Sequence, residues 1–395
     1  MPTEGLFPEA ALEPAPFSEL AGWKDQDFPA ALATFIRSCR AQTRSDAPQG
    51  SIGRMNAALK VACARANRLP RHPKAATARS FFEREFVAYQ ISALGEEDGF
   101  LTGYYEPEVE GSRTRTDEFS IPLYRRPLDL ISEAPPADGA PSNRGLAFRE
   151  VDGERVPYHD RASIDGGALA NRGLEVAFVR DPADAFFAQI QGSIRIRLPD
   201  GDVLRLNYDG HNGQPYTPIG RILIEKDLVP REKMSMDAIR AYIAAHPQDG
   251  RALMQENRSY VFFRVATELK ATDGAVGGQG IPLDTRHSIA IDRRIHAYGT
   301  PFYITGELPT GAEGAVEPFH RLTIAQDTGS AIVGPARADI FFGAGAEAGS
   351  ISGRIQHPGT FVILLPRALD PARRKVPRPP MKPEMAGPAL LTETP

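Results

Sequence analysis

Only two cysteines occur among 395 residues, too few for a disulfide framework, and they lack the spacing of a zinc site. No run of about 18 apolar residues exists, so no segment reads as a membrane span. No long stretch is dominated by Lys and Arg, and the formal net charge is −4, which argues against a nucleic-acid footprint. The first 19 residues carry Pro2, Pro8, Pro14 and Pro16 among several glutamates. They show neither a cationic start nor an apolar stretch of signal length, so no export signal is expected in the sequence as written. The eight histidines never form His-Glu-x-x-His, and arginines lie between His287 and His296, so no metal is expected. Gly343, Gly345 and Gly349 miss the dinucleotide fingerprint, and 274–280 lacks the Lys and Ser/Thr of a phosphate loop. No Gly-x-Ser-x-Gly elbow is present, and no cofactor is expected.

What is present is an ordinary globular composition. Hydrophobic residues make up 42% and charged residues 24%, and the length predicts two or three domains. With 36 glycines and 35 prolines, turns and short strands are favoured over a helical bundle. Three helical patterns open the chain: Phe28, Leu32, Phe35, Ile36 and Cys39; Ile52, Met55, Leu59, Cys63 and Ala66; then Ala78, Phe82, Phe86, Tyr89 and Ala93 up to Gly95. Cys39 and Cys63 each fall on an apolar stripe and read as buried free thiols rather than a disulfide. After Gly99 the texture becomes β. Short apolar runs at 194–198, 203–206 and 219–224 read as strands, with a hairpin turn at 199–202. A helix begins at Ser235 and stops before Pro247, and strands resume at 260–265, 288–291, 300–304, 322–325 and 360–365. From Pro366 the chain is Pro-rich and poor in large apolar residues, and it reads as a disordered tail. No internal repeat is visible.

The chemically suggestive stretch is 322–343, LTIAQDTGSAIVGPARADIFFG. Asp327 ends a predicted strand. Asp339 stands immediately before Ile340, Phe341 and Phe342, and a carboxyl among apolar groups loses hydration in its charged form, which raises its pKa as a general acid needs. Local sequence leaves open that Asp327 only accepts turn N–H groups and that Asp339 caps a helix. Asp-Thr-Gly-Ser at 327–330 is also the active-site tetrapeptide of aspartic proteases, but those enzymes need two such carboxylates, and here the motif occurs once.

Taken together, dispersed motifs resemble the membrane-bound lytic murein transglycosylase A family. They are Phe100-Leu-Thr-Gly-Tyr-Tyr-Glu-Pro107, Gln191-Gly-Ser193, Tyr208-Asp-Gly-His-Asn-Gly213 with Ile219-Gly-Arg221, and Asn257-Arg-Ser-Tyr-Val-Phe-Phe263. Then come Ser288-Ile-Ala-Ile-Asp-Arg-Arg294, Tyr298-Gly-Thr300, and the stretch from Asp327 to Gly343. The last group resembles the family's three-aspartate domain, with Asp292, Asp327 and Asp339 as the aspartates. The resemblance implies a mainly β (α+β) fold with N-terminal helices: a double-psi β-barrel from residues 21–105 and 255–365, and a smaller β-barrel domain inserted at 106–254. Residues 1–20 are then a flexible start, 366–395 the tail, and a groove lies between the domains.

The implied activity is non-hydrolytic cleavage of the β-1,4 bond between N-acetylmuramic acid and N-acetylglucosamine in peptidoglycan, leaving 1,6-anhydro ends. Because the substrate's own C6 hydroxyl attacks, one residue, Asp339, can serve as acid and then base. Asp327 would assist and Asp292 would hold the barrel loop. Thr102, Gly103, Tyr104, Tyr105, Gln191, Ser193, Asn212 and Gln214 are the expected glycan contacts. Two alternatives stay open: a muramidase using Asp339 and Asp327, and a non-catalytic peptidoglycan-binding protein. The implied partners are glycan strands and a cell-wall enzyme complex, the implied state is a monomer, and the implied location is the periplasm, with association to the outer membrane.

Overall fold

The computed structural model describes residues 6–42, 50–133 and 146–372. The start of the chain, expected to be flexible, is folded from Leu6 onward. Alternation of Ala10 and Leu12 gives β1 (Ala10–Pro14) an apolar side, and it pairs antiparallel with residues 89–93. Residues 1–5 lie outside the described part. Helices α1 (Phe28–Gln42), α2 (Gly50–Ala66) and α3 (Ala75–Glu85) bury Phe28, Leu32, Phe35, Met55, Leu59, Phe81 and Phe82 in one core. At the crossing of α1 and α2 the two apolar stripes bring Cys39 and Cys63 to a Cα separation of 5.4 Å, and they form a disulfide. The expectation of free thiols is thus overturned: a stripe position shows burial but not which residue of the facing helix it meets.

The third helix was expected to reach Ala93, yet it ends at Glu85. Phe86 takes up extended angles, and β2 (Phe86–Ala93) follows at once. Phe86, Ala88, Tyr89 and Ile91 are buried there, because strands on both sides pair with this segment and outweigh its helical spacing. After a turn at Gly95 the chain enters β3 (Gly99–Glu106) and crosses, through Pro107 alone, into the inserted domain.

That domain contains β4 (Glu108–Ser112), β5 (Ile121–Tyr124), β6 (Ile131–Glu133), β7 (Leu146–Val151), β8 (Glu154–Pro157), a single turn α4 (Arg161–Ser163) and β9 (Glu175–Val179). It continues with α5 (Pro182–Gln191), β10 (Ser193–Arg197), β11 (Val203–His211), α6 (Ile219–Glu225), α7 (Met236–Ala245), α8 (Pro247–Glu256) and β12 (Val261–Val265). Strands in the order β12-β11-β10-β4-β9-β5 form a sheet whose edges meet at a bridge between Arg125 and Phe263. The β10–β11 hairpin turns as expected, with Gly201 at φ 89°, and Ser235 caps α7 through its hydroxyl.

Residues 219–224, read as a strand, instead form α6, whose Ile219 and Leu223 lie one turn apart against Phe186, Phe187, Ile243 and Met254. The domain also ends later than expected. Because β12 pairs with β11 from Leu206 opposite Val265 to His211 opposite Val261, the return to the first unit falls after Val265 and not at 255.

The first unit is completed by β13 (Ser288–Ala290), β14 (Pro301–Leu308), β15 (Glu317–Asp327), β16 (Arg337–Ala344), α9 (Gly345–Ser352) and β17 (Gln356–Pro366). The order β17-β14-β15-β13-β16-β3, closed by β17 pairing with β3, makes a six-stranded barrel. β2 and β1 extend it from β17. The start of the expected tail is folded, since Pro366 pairs with Phe86 and Tyr89 donates to Asp370. Residues 373–395 lie outside the described part.

Candidate active site

Strand β13 is the axis of the site. Ala290 pairs with Asp327 of parallel β15 on one side and with Asp339 of antiparallel β16 on the other, so register alone brings the two carboxylates to one end of the barrel. The parallel β16–β3 ladder then sets Thr102 opposite Asp339 and Tyr104 opposite Phe341. Strand alternation separates Asp339 and Phe341 from Ile340 and Phe342, which enter the main core. Phe341 instead joins Tyr104, Ala275, Leu283, Ala290 and Ile332 in a small apolar cluster beside the carboxylates.

The Thr102 hydroxyl donates to Asp339 Oδ1 at 2.7 Å and accepts from Arg337 Nη2 at 2.8 Å. Burial pushes the Asp339 carboxyl up. The Arg337 charge and the Thr102 bond pull it down, and burial prevails, so its pKa is raised. Asp327 uses both oxygens: Oδ2 accepts from the Tyr104 hydroxyl at 2.7 Å, and Oδ1 from the N–H groups of Gly278 at 2.7 Å and Thr328 at 2.8 Å. Burial, aided by the nearby Asp339 charge, still pushes it up to about 6 against those bonds. A Cβ at position 278 would lie 2.5 Å from the Tyr298 hydroxyl oxygen, so any side chain there would require that tyrosine or the hairpin to shift.

Asp292 has a different task. It is fully buried, and its oxygens accept from Arg294 N and Nε at 3.0 Å, Arg294 Nη2 at 2.8 Å and Gly334 N at 3.0 Å. Burial alone would raise its pKa, but the Arg294 and Gly334 bonds hold it below the ordinary value. It ties the loop after β13 to the loop before β16.

Of the eight expected glycan contacts, only Thr102 and Tyr104 stand against the aspartates. Gly103 serves packing, since a Cβ there would come within 2.8 Å of Ser352 Cα on α9. Tyr105 points to the other side of β3, its ring beside Gly349 and its hydroxyl 3.9 Å from Met236 Sδ, while its N–H donates to Gln191 Oε1 at 3.0 Å. Gln191 thereby joins the end of α5 to β3. Ser193 is buried in β10 opposite Asn207.

Asn212 and Gln214 are buried within the inserted domain. Asn212 has no exposed surface; it donates to His159 O and Arg258 O at 2.9 Å and accepts from Tyr260 N at 2.8 Å and Gln214 N at 3.3 Å. Gln214 donates to Tyr158 O at 2.8 Å. Both fasten loops inside the inserted domain, where a polar Asn-Gly-Gln run is as well suited to bonding backbone as to bonding sugar.

Sequence reasoning missed Arg337, Gly278 and Tyr298. Arg337 was open to discovery, since it precedes Asp339 by two and must share its side of the strand. It also missed a buried ion cluster at the domain crossing. Glu106 accepts from Arg195 Nε at 2.7 Å and from Arg205 Nη2 at 2.7 and 2.8 Å, and both arginines donate to Asp273 O at 2.9 Å. Among the described residues, no group of three His, Cys, Asp or Glu is placed to hold a metal ion.

Residues 100–264 match the MltA specific insert domain and residues 287–365 the 3D domain. A Vibrio cholerae protein named membrane-bound lytic murein transglycosylase A is 34% identical over 272 residues, 67% of this chain and 65% of that protein. The chain therefore spans just under two thirds of the length of that curated relative. The crystal structure of a membrane-bound lytic murein transglycosylase from Agrobacterium tumefaciens is 35% identical, with a TM-score of 0.81, over 91% of this chain and 98% of that one. The Escherichia coli MltA structure with bound chitohexaose is 26% identical, with a TM-score of 0.64, over 93% and 97%. With both family segments in order around one barrel and a 35% identical structure matched over 98% of its length, the chain belongs to the lytic murein transglycosylase A family.

Proposed function

We propose that this protein is a peptidoglycan lytic transglycosylase that uses Asp339 as both acid and base. Protonated Asp339 gives its proton to the glycosidic oxygen of the departing N-acetylglucosamine as the bond from C1 of N-acetylmuramic acid breaks. The C6 hydroxyl of the same muramic acid forms the new bond to C1, and its proton returns to Asp339. Nothing is oxidised, no water enters, and the carboxyl is restored for the next turnover. Thr102 and Arg337 aim the carboxyl. Ionised Asp327 raises the proton affinity of Asp339 when the hydroxyl must be deprotonated, and its charge favours the positive character that develops at C1.

The carrying observation is that both oxygens of Asp327 are already bonded, to Tyr104, Gly278 and Thr328. A muramidase would use that carboxylate as nucleophile or water activator; three bonds hold it in one orientation and draw off its electron density, which suits the fixed charge that the lyase needs. The names of the Vibrio cholerae and Agrobacterium relatives and the chitohexaose bound by the Escherichia coli protein support a β-1,4-linked amino-sugar polymer as substrate. For location we propose the periplasm, supported by the Cys39–Cys63 disulfide, which persists in an oxidising compartment. Among the described residues no helix is long and apolar enough to cross a membrane.

Purified murein sacculi incubated with the protein and analysed by mass spectrometry decide the matter. The expected products carry 1,6-anhydromuramic ends; reducing ends would establish the muramidase, and binding without product a non-catalytic role.

A further inference from the structure

One relay from the inserted domain runs to the acid/base pair. Asn207 lies in β11 and is 5% exposed. Its side chain makes two bonds to one residue of the barrel unit: Nδ2 donates to Val276 O at 3.0 Å, and Oδ1 accepts from Val276 N at 2.8 Å. An amide facing a peptide in this way imitates a strand pairing. Val276 roots a tight hairpin, bridged to Pro282 and closed by Gly277 N to Ile281 O at 3.0 Å and Leu283 N to Ala275 O at 2.9 Å. Two residues beyond Val276, Gly278 gives its N–H to Asp327. The tip is tied down by Gln279, whose N–H donates to Gln326 O and whose Nε2 donates to Ser38 O. Gly277 and Gly278 let the backbone come this close, for a Cβ at 277 would lie 2.6 Å from Gln326 O.

We infer that Asn207 is a positioning residue: by clamping Val276 it presents the Gly278 N–H to Asp327, so that the inserted domain sets the charge state of a barrel carboxylate. This rests on the reading of Asp327 and Asp339 as the acid/base pair. The titratable groups facing Asp327 are Tyr104 from β3, Asp339 from β16 and Tyr298 from the loop before β14, with Arg337 acting through Asp339 and Arg293 through Tyr298. All of these belong to the barrel unit. Asn207 adds no charge; it acts by holding a donor in place, and a carboxylate that loses an N–H donor keeps its proton to higher pH.

The test is the pH dependence of 1,6-anhydro product formation from sacculi between pH 4 and 8. Asn207→Ala should move the acid limb upward by about one pH unit, the size expected from losing one bond to a charged acceptor. Gly278→Ala, which pushes the hairpin off Asp327 without altering the inserted domain, should move it the same way. Arg197→Gln, which removes a surface ion pair with Glu108 in the same sheet, should leave the limb in place. If Asn207→Ala does not fold, Asn207→Ser carries the test, because its short hydroxyl cannot make both bonds to Val276. An unmoved limb in a folded Asn207 variant would overturn the inference and leave Asn207 as scaffolding. A wild-type protein that yields no anhydro ends would instead overturn the activity on which the inference rests.

Discussion

At the scale of single residues, the site consists of two aspartates kept unlike by their partners. Asp339 has one donor, a neighbouring arginine and a desolvated, partly buried carboxyl. Replacing it with Asn keeps the shape and removes the proton, so turnover should fall by roughly 10²- to 10⁴-fold with the fold intact, as measured by anhydro-product release and circular dichroism. Thr102→Val removes the one hydroxyl that stabilises ionised Asp339. Its pKa then rises, and the alkaline limb should move up by about one pH unit.

Asp327 makes a prediction about stability. Its folded pKa of about 6 lies above the ordinary 3.8, so below pH 4 both folded and unfolded states hold the proton. Between about pH 4 and 6 only the folded state holds it, and stability is lost as pH rises. Asp327→Asn, which has no charge to bury, should therefore be more stable than wild type at pH 7 by on the order of 2 kcal/mol, with the gain gone at pH 4, while losing activity. Thermal melts at the two pH values check this. Register explains why these residues meet, and register cannot be read from one strand. The carboxyl before an apolar run was visible in the sequence, but Thr102, 237 residues away, was placed beside it only by resemblance.

At the scale of elements, the sequence was legible where a local signal had no competitor. Ser235 followed by a periodic run and Pro247 marked α7, and Pro-Asp-Gly-Asp marked the β10–β11 turn. It misled where the spacing suited two structures. Phe82, Phe86, Tyr89 and Ala93 fit a helical face, yet β17 and β1 claim the segment from Phe86 onward, and neither partner is local. Ile219 to Ile224 looks like a strand by composition, but α5, α7 and α8 leave a slot for one helical face. The disulfide between α1 and α2 closes a separation of 24 residues. Removing it as Cys39→Ser with Cys63→Ser should cost about 3 kcal/mol, lowering the melting temperature in a way that a reductant reproduces on the wild type.

At the scale of the whole molecule, two barrels share a seam made of Glu106, Arg195, Arg205 and the 270–273 turn. Glu106 is buried between two arginines. Glu106→Ala removes the carboxylate that balances both guanidinium charges and should destabilise the protein by roughly 3 to 5 kcal/mol in denaturant titration. The turn-rich composition pointed to several β domains, and motif order gave their nesting. The second boundary was missed because the linker candidate near 255 lies inside α8, and only the pairing of β12 shows which sheet owns it.

The pairing of β3 with β16 and β17 also governs when activity can first exist. Thr102 and Tyr104 are synthesised long before Asp327 and Asp339, and the barrel has no closing strand until β17 emerges. Such high contact order delays closure until nearly the whole chain is available. The inserted domain, whose strands lie between Glu108 and Val265, can form first. A chain still being made carries Asp339 without its setting, and the site is complete only when its last strand is in place.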